Sequence, residues 1–210
     1  MVLAALPGAG QTGRMAQRLL ILASASPRRR DLLRQLGYSF EVLPGDVDET
    51  WSDGESPGDH AVRLAREKAI AAGSGAGVVL AADTVVCVDG EVLGKPRDRE
   101  HALDMLQALS GRAHEVITAI AVTSGPDLHQ AQSSTQVWFR DLTAEECIEY
   151  WETGEPSDKA GAYAIQGRAA AFVTRIDGSY SGVVGLPLYE TAMLLAHVGL
   201  PLPTEPGVLG

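Results

Sequence analysis

The chain has 210 residues, 45% hydrophobic and 21% charged, the make-up of an ordinary globular protein. Its formal net charge of −10 argues against a general binder of nucleic acid or of an anionic membrane, which would be basic. No run of eighteen apolar residues occurs, and the 2 cysteines, Cys87 and Cys147, lie far apart, which fits a reducing compartment without a disulfide framework or zinc site.

Residues 1–14 are apolar, then Gly-rich, and lack the basic start of a secretory signal. Met15 offers a second start, so 1–14 read as a disordered leader or a misplaced beginning. A single two-lobed domain is expected over 15–200, with a loop-like tail over 201–210. The segment 19–23 reads as a short buried strand. Ser26-Pro27 reads as an N-cap and first helical residue, Leu32, Leu33 and Leu36 as the apolar face, and Gly37 as the stop. Arg28, Arg29 and Arg30 crowd the first turn. A helix N-terminus is already partly positive, so three cations there make sense if an anion completes the site. Arg29 shares the face of the leucines and is expected to point along the strand end.

A second strand is expected over 39–43, followed by an acidic, turn-rich stretch over 44–56. Ser56-Pro57 repeats the cap-and-proline device and opens a helix to about residue 72. Residues 78–82 read as a buried strand ending at Asp83, with 84–88 continuing it. Asp89-Gly90 is a hairpin turn, with 91–93 returning. Asp98 caps a helix through 109. Two long strands, 114–123 and 131–139, are joined by a turn at 124–127. Thr143 and Glu146 form a capping box for a helix to 153. A Gly-rich loop, a strand over 171–176 and a helix over 186–198 complete the order. Helices alternate irregularly with hairpins, which predicts an α/β fold with a mixed sheet.

Asp83 is the sharpest single candidate. A carboxylate held by a strand can bind a divalent metal, accept a proton from water, or simply end the strand. Asp46, Asp48 and Glu49 add carboxylates after the second strand, and Glu49 is the one chosen as a metal ligand. Lys68 borders the apolar arc of its helix, so its stem can run along the core and deliver an ammonium to a cleft. Lys95, fixed between Gly94 and Pro96, offers a point charge to phosphate. In the later loop, Tyr163 offers stacking and Gln166 an amide that both donates and accepts, as a nucleobase edge requires. No Ser-His-Asp arrangement and no metal-ligand spacing of histidines is evident.

Taken together, LASASPRR (22–29), DE (48–49), LAREKA (64–69), AADTVV (81–86), GKP (94–96), LSG (109–111), DKAGAYAIQG (158–167) and GSYSGVVGLPL (178–188) resemble the Maf family of nucleoside triphosphate pyrophosphatases. The DKAGAY and IQG forms resemble the branch acting on dTTP and UTP. The resemblance implies hydrolysis to the monophosphate and pyrophosphate, a house-cleaning role that can extend to modified pyrimidine nucleotides. It implies an elongated twisted sheet flanked by helices, with two lobes around a deep, inosine-triphosphatase-like cleft. It also implies Asp83 as proton acceptor; Arg28, Thr84 and Gln166 in substrate choice; and Ser24, Arg29, Glu49, Lys68 and Lys95 as further cleft residues. A divalent cation (Mg²⁺ or Mn²⁺, on Glu49 and Asp83), a homodimer and a cytoplasmic setting come with it; nucleic-acid and membrane partners do not. One departure stands out: Arg168-Ala169-Ala170-Ala171 follows Gly167 where the family commonly places another glycine. The alternative reading is a non-catalytic nucleotide-binding regulator of cell division, for which carboxylates facing the phosphate would bring nothing without a metal.

Overall fold

The computed structural model describes residues 18–73 and 77–204; the leader 1–14 and the tail residues 205–210 lie outside the described residues. Five helices begin where the sequence supplies a side-chain cap. Ser26 accepts the N–H of Arg29 to start α1 (Pro27–Gln35), and Ser56 accepts that of Asp59 to start α2 (Pro57–Ala71). Asp98 caps α3 (Arg99–Leu109), and Thr143 and Glu146 close a reciprocal capping box at α4 (Ala144–Glu152). The expected last helix is present, and a short helix that was not expected precedes it. Ser179 caps a short α5 (Tyr180–Val184), and Gly185 and Pro187 separate it from α6 (Leu188–His197).

The strands are β1 (Leu20–Leu22), β2 (Glu41–Val42), β3 (Val78–Val88), β4 (Glu91–Leu93), β5 (Ala113–Ser124), β6 (Asp127–Phe139) and β7 (Val173–Asp177). They form one seven-stranded sheet in the order β2-β1-β3-β5-β6-β7, with β4 also on β3. β1 runs parallel to β2 and β3, and the other pairs are antiparallel, so the sheet is mixed as expected. β2 is shorter than expected because it lies at the sheet edge: Glu41 and Val42 are exposed, and only Phe40 beside them packs towards the core. β6 starts earlier than expected because its mostly polar first residues, 127–130, pair with β5 while facing solvent in part.

Asp83 is not at a strand end. β3 runs through it without a break, and Asp83 sits opposite Ala119 of β5. One charged residue makes a single buried strand look like two. The strand is buried on both faces, so its sequence is nearly continuous apolar rather than alternating.

The pairing along β3 creates the site. β5 covers one edge of β3 from Val78 to Cys87. On the other edge, β1 covers residues 78–80 and β4 covers 86–88. Between them, 81–85 lacks a strand neighbour on that side. An unpaired edge in the middle of a sheet is where a ligand can approach backbone and side chains together.

Three apolar clusters make the two-lobed body. In one lobe, Leu22, Leu33, Leu80, Ile120 and Leu195 pack on one face of the sheet, while Ala61, Ala65, Val79 and Ala119 join α2 to the other face. In the second lobe, Val86, Leu106, Val137, Phe139, Tyr150 and Phe172 gather α3, α4 and the far ends of β3, β5 and β6.

His114 is buried in this second lobe. Its Nε2 meets the Tyr163 hydroxyl at 2.8 Å, and its Nδ1 has no hydrogen-bond partner among the described residues. Burial pushes the imidazole pKa down to about 4. The unfolded chain then takes up this proton near pH 6.5 while the folded chain resists it. Stability is complete above that pH and is lost as pH falls towards 4, by up to roughly 3 kcal/mol for a shift of this size. We expect the urea midpoint to drop between pH 7.5 and 4.5 by clearly less in His114→Phe than in the parent chain. Equal drops would show that this imidazole is not held neutral.

Candidate active site

A cleft of about 620 Å³ opens along the uncovered edge of β3, a size suited to a small ligand. Ser24, Arg28, Arg29, Glu49, Lys68, Asp83, Thr84, Lys95 and Gln166 all line it. The structure therefore brings these nine residues into one cavity.

Arg28 and Arg29 come from the first turn of α1, which carries no acidic residue. Arg29 turns inward, as its place on the leucine face predicts. Its Nε donates to the Gly185 carbonyl at 2.8 Å, and its Nη atoms donate to Ser24 Oγ at 3.2 Å and Thr84 Oγ1 at 3.1 Å. These bonds tie α1 to β3 and to the turn before α6. Burial pulls the guanidinium pKa down, and Asp83 opposes that shift; an arginine remains cationic throughout. Arg28 reaches across the cleft to Asp158 in the second lobe, at 3.4 Å. Arg30 does not line the cleft.

Lys68 lies at the centre. Its Nζ is 2.7 Å from Asp83 Oδ1 and 2.6 Å from Glu49 Oε1. The Lys68 ammonium holds the Glu49 carboxyl below its usual pKa. Gly45 permits this meeting: a Cβ there would stand 2.5 Å from the Lys68 carbonyl oxygen, so only glycine lets the acidic loop lie against α2. Asp48 does not join the cleft but accepts the Thr50 N–H at 2.9 Å, and Asp46 also lies outside it.

Asp83 and Thr84 are neighbours in β3, so their side chains leave opposite faces of the sheet. Asp83 faces α2 and Lys68, whereas Thr84 faces Arg29 and Thr118. Both reach one cavity only because the strand edge between β1 and β4 is open. Lys95 stands exposed at the cleft and has no hydrogen bond among the described residues. The Gly161 N–H donates to the Gly94 carbonyl at 3.1 Å, fastening the Lys95 turn to the loop that carries Tyr163 and Gln166.

That loop is built on Glu155, which accepts from the Tyr150 hydroxyl at 2.6 Å and from the Arg168 N–H at 3.0 Å. None of residues 168–171 has a positive φ, so the missing family glycine is not needed there. Arg168 is exposed and away from the cleft. Gln166 is exposed to the cavity, but Tyr163 is not available for stacking. It is 6% exposed and committed to His114.

Trp51, His60, Asp158 and Lys159 also line the cleft and are not among the residues expected there from the sequence. A signal for His60 exists: His60, Leu64 and Lys68 recur every four residues and share one face of α2, and all three line the cavity. Trp51 sits in a segment without regular structure and has no periodic signal.

Five cations (Arg28, Arg29, Lys68, Lys95, Lys159) thus face three carboxylates (Glu49, Asp83, Asp158) in a chain of net charge −10. A locally cationic cavity in an acidic protein concentrates anionic ligands. No group of three or more His, Cys, Asp or Glu able to hold a metal occurs among the described residues, and no helix among them is long and apolar enough to cross a membrane.

Comparison with known proteins places the chain. It is 53% identical to the dTTP/UTP pyrophosphatase of Methylococcus capsulatus over 184 residues, covering 86% of this chain and 91% of that protein. It is 52% identical to the dTTP/UTP pyrophosphatase of Pseudoalteromonas atlantica, covering 87% and 98%, and 50% identical to that of Vibrio cholerae, covering 84% and 96%. Among solved structures, the Staphylococcus aureus Ham1 protein aligns at 16% identity over 59% of this chain and 73% of that one, with a TM-score of 0.42, too slight a likeness to build on. Residues 19–198 match the family described as Maf-like protein. With that match over most of its length, and relatives of this similarity, the chain belongs to the Maf family.

Proposed function

We propose that this chain hydrolyses dTTP and UTP to the monophosphate and pyrophosphate. The observation that carries the reading is Lys68 bridging Glu49 and Asp83 at the open edge of β3, beside a half-buried Arg29. A site for phosphate binding alone would not set two carboxylates among its cations. The names of the relatives point to the same substrates.

In this reading the triphosphate lies against the N-terminus of α1, with Arg28, Arg29 and Lys95 holding its oxygens. Water attacks the α-phosphorus. Asp83 takes a proton from that water as the new P–O bond forms. The bond from the α-phosphorus to the bridging oxygen breaks, and pyrophosphate leaves with its electron pair. The cations stabilise charge that moves onto the leaving phosphate oxygens. Gln166 offers a donor and an acceptor to a pyrimidine edge, and Thr84 holds Arg29 in place.

Glu49 and Asp83 are hard oxygen donors of the kind Mg²⁺ or Mn²⁺ takes. Two carboxylates suit an ion that shares its shell with substrate phosphates better than a resident ion. When bound, such an ion would neutralise phosphate charge. A homodimer and a cytoplasmic setting belong to the same reading and rest on the family resemblance, as does action on modified pyrimidine nucleotides.

The test is pyrophosphate release from dTTP, UTP, CTP, dATP and dGTP, with Mg²⁺, with Mn²⁺ and with neither. The expected result is turnover of dTTP and UTP at least about tenfold above the purine nucleotides. Nucleotide binding without pyrophosphate release from any of them would leave a regulator instead of an enzyme.

A further inference from the structure

We propose that Trp51 is the stacking platform for the nucleobase of the bound triphosphate, an inference that rests on reading the chain as a nucleotide pyrophosphatase. Three aromatic rings line the cleft: those of Trp51, His60 and Tyr163. His60 is 4% exposed and Tyr163 is 6% exposed, so neither offers a free face. Trp51 is 40% exposed. One face of its indole is covered by His60, with ring centroids 3.7 Å apart and planes at 1°. A ligand ring therefore has the opposite indole face to stack on, and Leu64 and Val92 line the same cavity.

The platform is held in place before any ligand arrives. His60 Nδ1 meets Glu55 Oε2 at 2.9 Å. Arg63 grips both oxygens of Glu55, at 2.7 and 2.9 Å, and also donates to the Thr50 carbonyl at 3.0 Å, one residue before Trp51. An aromatic ring fixed in this way loses little freedom when a second ring stacks on it. The placement also suits a nucleotide. His60 and Lys68 are two turns apart on one face of α2, about 12 Å along the axis. That leaves room for sugar and base between the phosphate-binding cations and the indole. Stacking is tolerant of base identity, so Trp51 supplies affinity while the amide of Gln166 supplies discrimination.

The test uses dTTP as substrate and inorganic tripolyphosphate, which has no base, as a competing inhibitor. Trp51→Ala should raise the KM for dTTP about tenfold with little change in kcat, and Trp51→Phe should recover most of the loss. The inhibition constant of tripolyphosphate should stay the same in all three proteins. An unchanged KM for dTTP in Trp51→Ala would overturn the proposal. So would a rise in KM matched by an equal weakening of tripolyphosphate, since the indole would then only support the loop that carries Glu49. If the unmodified protein turns over neither dTTP nor UTP, the reading of the function falls first and takes this proposal with it.

Discussion

Asp83→Asn is expected to lower kcat by roughly two orders of magnitude or more, the usual value of a positioned general base, while the protein stays folded. The substitution keeps the size of the side chain and an oxygen that can still accept from Lys68. What it removes is the capacity to hold a proton taken from water. The backbone around it does not depend on the carboxylate, because residue 83 lies within an eleven-residue strand paired to β5 on both sides of this position. KM should change little, since proton transfer belongs to the transition state and not to binding. Turnover near that of the parent chain, in a protein with unchanged circular dichroism, would remove Asp83 from the role of base.

Lys68→Met is expected to be nearly as damaging, for a different reason. Methionine keeps most of the apolar stem against α2 and deletes the ammonium. Glu49 and Asp83 then face the cleft without the cation that now separates them. Their combined negative charge would repel the triphosphate, so both kcat and KM should worsen. A loss of about 10²–10³ in kcat/KM is the scale for removing one oriented positive group from such a site. The folded state should suffer less. The Asp83 side chain is 13% exposed but that of Glu49 is 60% exposed, so solvent screens much of the unpaired charge. A stability cost of about 1–2 kcal/mol fits that mixture. A kcat/KM close to that of the parent would mean that the bridge is only structural.

Much of this site is legible in the sequence because it is written in local terms. Ser26, Ser56, Asp98 and Thr143 announce their helices through the donors they cap. Arg29 shares a helix face with Leu32 and Leu33, and so it must point inward with them. The placement of Asp83 is not legible in this way. An apolar run broken by a carboxylate reads as a strand and its end. Only the lengths of β1 and β4 show that β3 continues past it with one edge bare. The same limit applies to Trp51, whose partner His60 is set by how the acidic loop folds back on α2. Tyr163 illustrates the converse. Its ring is of the right kind for stacking, but packing against Phe139 and the bond to His114 bury it. Local pattern names the chemistry of a side chain, and tertiary pairing decides which of its faces meets the ligand.

In the proposed complex the triphosphate lies across the bare edge of β3 with its α-phosphorus towards Asp83. Hydrolysis of dTTP in ¹⁸O-labelled water tests it directly, with the products analysed by mass spectrometry. Attack on the α-phosphorus leaves one labelled oxygen in the nucleoside monophosphate and an unlabelled pyrophosphate. Label in the pyrophosphate, or release of orthophosphate in its place, would contradict it.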